Sequence, residues 1–164
     1  MFRGNRHARF VLVLLLILLL ASCGSDDGEK KESNPPAEGT LTTESARVDY
    51  RPAGGEDWQA ITSAQTVGGE DAIRTDASGR ALLNFYTGTE VEILPGSEVV
   101  VTQLEETAEG GHIVTLNQLS GETQHRVELV ANSGSSYEVN TPSANLVVRG
   151  TLFGVEVQPD GATT

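Results

Sequence analysis

Few residues in this 164-residue chain have the type and spacing that chemistry requires. Cys23 is the only cysteine, so it has no partner for an internal disulfide and no companion thiolate for a zinc site. Of the three histidines, His7 lies in an apolar leader. His112 follows Gly110-Gly111 at an expected strand start, and His125 lies within an expected strand. They are too far apart for a local metal motif, and each is expected at the surface or a sheet edge. The carboxylates beside glycine in Val67–Asp71 and Thr75–Gly79 lack the dense Asp spacing of a Ca²⁺ loop and read as turns. There is no Gly-x-Ser-x-Gly, no glycine-rich phosphate loop, and no base patterned beside a serine. No catalytic residue, metal site or cofactor is expected, and the chain reads as a non-enzyme. Near its end, Arg149-Gly150-Thr151 separates two alternating runs. Leu146 and Val148 share a face on even numbers, and Phe153, Val155 and Val157 share one on odd numbers. A strand cannot change faces without a bulge or turn. Gly150 is expected to supply the backbone freedom. Arg149 is expected to fork its donors onto the carbonyls left unpaired, Thr151 to cap the break, and Phe153 to re-enter the core. A receptor for an anion or carboxylate is the other reading of Arg149.

The context of Cys23 gives it a chemistry. Arg3, Arg6 and Arg9 form a basic start, and Phe10 to Ala21 is an apolar run of 12 residues. That is short for a spanning helix, which needs about 20 residues, and suits a secretory signal peptide. Leu20-Ala21-Ser22-Cys23 resembles a bacterial lipobox. The resemblance implies a thioether-linked diacylglyceryl group on Cys23 and cleavage before it, with palmitate-like chains holding the protein to a membrane. Two acyl chains anchor stably where one does so only marginally. An uncleaved signal anchor, or a secreted protein with a stray thiol, is the plainer alternative. Residues 1–22 are therefore read as a lipoprotein signal peptide. The protein is expected at the cell membrane or outer membrane, facing away from the cytoplasm, on the periplasmic side where a cell has one.

Composition limits the partners. The chain holds 23 acidic and 11 basic side chains, a net charge of −12. Without the first 22 residues, 8 basic stand against 23 acidic, a balance of −15. Such a surface repels nucleic acid and anionic lipid, and no nucleic-acid partner is expected. Residues 23–43 are polar and proline-containing, and read as a lipidated flexible linker. From 44 to 158, short alternating runs are punctuated by Gly, Pro, Asn and Asp turns. Ala81, Leu83 and Phe85 share a face, as do Val127 and Leu129, and Tyr137 and Val139. No run shows a helical period. The expected fold is all-β, a single antiparallel domain of about ten short strands joined mainly by hairpins, as a two-layered sandwich or a rolled sheet. Residues 159–164 read as a tail. Trp58, the only tryptophan, is expected to pack on the core rather than serve as a sugar platform.

Several landmarks then line up: the glycine turns at Gly68-Gly69, Gly88 and Gly121, and above all Thr141-Pro142 followed by Val148-Arg149-Gly150-Thr151-x-Phe153-x-Val155. In this order, roughly Val48 to Val157 resembles the FecR domain. That resemblance implies kinship with regulators that pass an extracytoplasmic signal across a bacterial inner membrane to a sigma factor. Such regulators carry a cytoplasmic sigma-binding segment before a membrane helix. Here nine residues precede the apolar run, and a lipobox stands in place of the helix. The expectation is therefore a lipid-anchored cell-envelope binding module, for protein–protein interaction or signal sensing, without its own sigma-factor-binding segment. Its partners are the membrane, through the lipid on Cys23, and an envelope protein. A glycan- or peptidoglycan-associated protein is the alternative, with Trp58, Tyr50, Tyr86 and Tyr137 as the aromatic groove. A divergent hydrolase ranks last.

Overall fold

The computed structural model describes residues 34–164 apart from Thr87, Val130 and Asn132. The signal peptide, Cys23 and the linker as far as residue 33 lie outside the described residues. The described chain is all-β, with twelve strands and no helix. They are β1 Gly39–Ser45, β2 Val48–Arg51, β3 Gln59–Ala60, β4 Gln65–Val67, β5 Asp71–Thr75 and β6 Arg80–Tyr86. The remainder are β7 Thr89–Ile93, β8 Glu98–Glu106, β9 His112–Val127, β10 Ser136–Asn140, β11 Asn145–Val148 and β12 Thr151–Val157.

One strand organises the rest. The first half of β9 pairs with β8 on one side and β10 on the other, and its second half pairs with β7 and β12. The sheet thus runs β3-β2-β5-β8-β9 and then, through the far half of β9, β7-β6-β1-β4. β10 and β11 extend the first half, and β12 flanks the second. The curled sheet folds its two halves over one core containing Ile73, Val99 and Leu116 from the first and Leu41, Leu83 and Ile93 from the second. The bend falls at Gly121, whose φ is +77°. A Cβ there would lie 2.4 Å from Ser97 Oγ, 2.5 Å from Ser97 Cα and 2.7 Å from the Gly96 carbonyl. Only glycine gives both the left-handed backbone and the close approach.

The alternating runs set the faces. In β6, Ala81, Leu83 and Phe85 are buried, and in β10 Tyr137 and Val139 are fully buried. Three details refine the expected architecture. The domain begins before residue 44: β1 starts at Gly39 and pairs with β4 and β6, with Leu41 in the core. The stretch 159–164 is no loose tail, because Thr164 exchanges both backbone hydrogen bonds with Glu156. Finally, β10 lies parallel to β9, while every other pairing is antiparallel. A parallel neighbour needs a crossover rather than a hairpin, and the segment from Val127 to Ser136 makes it.

Candidate functional site

The face change at Arg149–Thr151 is a passage between the two halves of the sheet. β11 is the outer strand beyond β10, while β12 pairs with the second half of β9. Leu146 and Val148 pack inward from one half, and Phe153, Val155 and Val157 from the other. The corner turns at Gly150, with φ +68°. A Cβ there would meet nothing closer than the Val127 carbonyl at 3.8 Å, so the demand for glycine is conformational rather than steric. The expected staple does not form. Arg149 is exposed, and among the described residues its guanidinium has no hydrogen-bond or ion-pair partner. Thr151 is exposed too, and its hydroxyl reaches only the Leu152 carbonyl at 3.4 Å. Phe153 is half-buried and packs against the core.

Phe153 lies flat on His125, with centroids 4.6 Å apart and planes 7° from parallel. His125 is not at the surface, as expected from its place in a polar run, but 1% exposed. It sits in a chain of buried polar groups. The Gln118 amide donates to the carbonyls of Gly121 at 2.7 Å and Val155 at 3.0 Å. Thr123 donates to Gln118 Oε1 at 2.6 Å, so its oxygen accepts from His125 Nε2 at 2.6 Å. That assignment makes Nδ1 the acceptor for the Tyr137 hydroxyl at 2.8 Å. Every group is satisfied with a neutral imidazole. Burial lowers the His125 pKa to about 4 and raises that of Tyr137 well above its ordinary value. The chain ties β10 to the bend in β9 and to β12, and positions the Gly150 corner from behind.

A second buried polar group lies at the far side of the sheet. Asp71 accepts from the Tyr50 hydroxyl at 2.9 Å, Gly68 N–H at 2.8 Å and Ala53 N–H at 2.8 Å. Burial, reinforced by the hydrogen bond to Asp71, pushes the Tyr50 pKa up to about 12. Asp49, also buried, accepts from Arg47 at 2.8 Å and from Arg74 at 3.0 Å. The hydrogen bond from Arg47 is the main influence holding its carboxyl below the ordinary value, with Arg74 adding to it. Trp58 is no core residue. It lies outside the hydrophobic cluster, half-buried, with the guanidiniums of Arg51 and Arg74 at 4.7 and 4.3 Å from its ring centroid. Two cations over one ring stabilise the surface fold by about 0.5–1 kcal/mol each.

The four aromatics considered for a glycan groove are not gathered on one open surface. Tyr137 and Tyr50 turn into the core, Tyr86 stacks on His112 at 4.0 Å, and Trp58 sits against its two arginines. Among the described residues no group of three His, Cys, Asp or Glu side chains is placed to hold a metal. One trough of about 510 Å³ opens on the outer face of the second half, lined by Glu44, Leu82, Glu90, Glu92, Gln124, Arg126 and Leu152. Its charges are largely paired: Arg126 with Glu90 at 3.0 Å, and Arg80 with Glu92. Leu152, at the trough's β12 side, is 72% exposed, and Val147 on β11 is 67% exposed.

Sequence reading pointed to the corner but missed the polar chain behind it. Gln118 and Thr123 looked like ordinary alternation, although their inward parity with Leu116 and Val127 was a usable signal. Compared with known families, residues 71–164 match the family model described as FecR protein. No curated protein and no solved structure matches the chain.

Proposed function

Because this chain belongs to the FecR protein family, a non-enzymatic regulatory family, we propose that it is a protein-binding module displayed outside the cytoplasm on a lipid attached to Cys23. A FecR domain points to signal sensing or regulation. The finer reading is that the module recognises another envelope protein. One observation carries it: the family's hallmark corner, Val148 to Phe153, sits between two sheet edges that bear Val147 and Leu152, both well exposed, beside an unengaged Arg149. An all-β domain with such edges binds by adding a partner's strand, with backbone hydrogen bonds supplying affinity. The lipid reading is supported by the lone cysteine placed two residues after the apolar run.

The test uses the intact protein in cells. Labelled fatty acid is expected on the wild type and absent from Cys23→Ser, and an impermeant biotin reagent is expected to reach the domain. Equal fatty-acid label on both proteins, or protection of the domain from the reagent, contradicts the anchored, outward-facing module.

A further inference from the structure

We propose that His125 is an acid-released latch on the Gly150 corner. One proton on its imidazole frees the strands on both sides of the corner while the rest of the sheet stays folded. This deepens the sensing reading by naming the signal as a proton, and its effect on a partner rests on that reading.

One imidazole holds both ends of the corner. Its Nδ1 accepts from the Tyr137 hydroxyl at 2.8 Å. Tyr137 is the register partner of Val148, the residue just before Arg149. One face of the ring carries Phe153, stacked at 4.6 Å, the third residue past Gly150. Nε2 donates to Thr123, which donates in turn to Gln118, whose amide holds the Val155 carbonyl of β12 at 3.0 Å. Every donor and acceptor in this series is set by a neutral ring. A second ring proton turns the Nδ1 acceptor into a donor, and the Tyr137 hydroxyl must then turn its own proton away. The charge would also sit in a site that is 1% exposed, where an unpaired cation is costly.

No counter-ion faces the ring among the described residues. Val91 of β7 and Phe153 of β12 flank it in register, and Tyr137 meets it from β10. The Tyr86 phenol, from β6, acts on Tyr137. Arg80 of β6, Glu90 and Glu92 of β7, Glu122 and Arg126 of β9, Glu138 of β10 and Glu156 of β12 have the opposite parity and lie on the outer face. Burial alone therefore sets the cost of protonation and lowers the His125 pKa from 6.5 to about 4. An open corner exposes the ring, which then takes a proton near 6.5, so acid draws the equilibrium toward opening. The closed form is favoured fully above about pH 6.5 and loses ground as pH falls toward 4. Between pH 7 and pH 5 the opening constant rises about twentyfold. The first half of the sheet has a different anchor, Asp71, which accepts from Tyr50, Ala53 and Gly68. β12 brings only Phe153, Val155 and Val157 inward, so it can part from β9 without unpacking β2, β5 and β8.

The experiment is native-state hydrogen exchange, read by NMR on the intact ¹⁵N-labelled chain in detergent micelles, at pH 7 and pH 5, with urea added below the unfolding transition. Glu156 exchanges its backbone bonds with Thr164, so Phe153 and Val155 turn theirs to β9 and report the latch. Their opening constants, corrected for the pH dependence of chemical exchange, should rise about twentyfold at pH 5 and respond little to urea. The slow amides of β2 and β5 should open only in a far more urea-sensitive step. In His125→Leu/Tyr137→Phe the pH response of Phe153 and Val155 should vanish, although His112 remains. Opening at Phe153 and Val155 that does not change with pH, or that shares the urea dependence of β2 and β5, would overturn the proposal. So would a full response in the double variant. The first two results are read on the wild type and stand whether or not the variant folds. No partner enters the experiment, so a failed latch and a failed binding module are told apart.

Discussion

Lowering the pH from 7 to 4.5 is expected to remove about 2.5 kcal/mol of the domain's stability through one side chain, His125. The ring is 1% exposed and holds Thr123 on one nitrogen and Tyr137 on the other, an arrangement that serves only the neutral form. Protonation would put two N–H groups on the ring, and Tyr137 would have to turn its hydroxyl away. Burial accordingly lowers the pKa from 6.5 to about 4. The unfolded chain binds a proton near its ordinary pKa while the folded chain refuses it. The contribution is therefore complete above about pH 6.5 and is lost as pH falls toward 4. Each tenfold step is worth about 1.4 kcal/mol, so the full interval spans about 3 kcal/mol, of which about 2.5 is gone at pH 4.5. Asp49, lowered below its ordinary 3.8, acts mainly at still lower pH. The assay is urea unfolding at both pH values for the wild type and for His125→Leu/Tyr137→Phe, which removes the imidazole and the hydroxyl together. Wild type should lose about 2.5 kcal/mol more than the double variant over this interval. Parallel losses, or an imidazole that titrates near 6.5 by NMR, would contradict the closed polar chain.

Substitutions at three positions probe the elements that build the corner, each read by denaturant unfolding. Gly121→Ala sets a Cβ within 2.7 Å of Gly96 and Ser97 at positive φ, and should cost about 2–4 kcal/mol. Gly150→Val meets no close atom but must hold φ near +68°, and should cost about 1–3 kcal/mol, against well under 1 for Gly150→Asn. Equal effects of the two substitutions would show that the left-handed backbone is not the constraint. Phe153→Ala uncovers one face of His125 and should cost about 2 kcal/mol while moving the imidazole titration upward from about 4; an unmoved titration would mean that other groups bury the ring.

The strand faces were legible because alternation is a local property. Ala81, Leu83 and Phe85 point inward as their parity requires, and so do Tyr137 and Val139. The parity change at Arg149–Thr151 likewise marks a corner from the order of residues alone. What joined the strands was not local. The parallel seat of β10 on β9 depends on a crossover, and twenty-three residues separate the partners Ile113 and Ser136. β1 was hidden by its composition: Thr-Leu-Thr-Thr has one large apolar residue, yet Leu41 is fully buried. His125 and Trp58 were misplaced for complementary reasons. A polar ring entered the core because a folded network satisfied both nitrogens, and an apolar ring stayed outside because two arginines covered it. The freedom of Arg149 was equally illegible, since a guanidinium's partners are set by what the corner leaves within reach.

The most direct test of a protein-binding module is photocrosslinking in living cells, with a photoreactive residue replacing Leu152 in the intact chain and, separately, Gln59 on the opposite edge. One discrete protein adduct is expected from position 152, weakened by Arg149→Gln and retained in membranes, with none from position 59. The same adducts from both positions, or none from position 152 while the protein is present at its normal level, would contradict it.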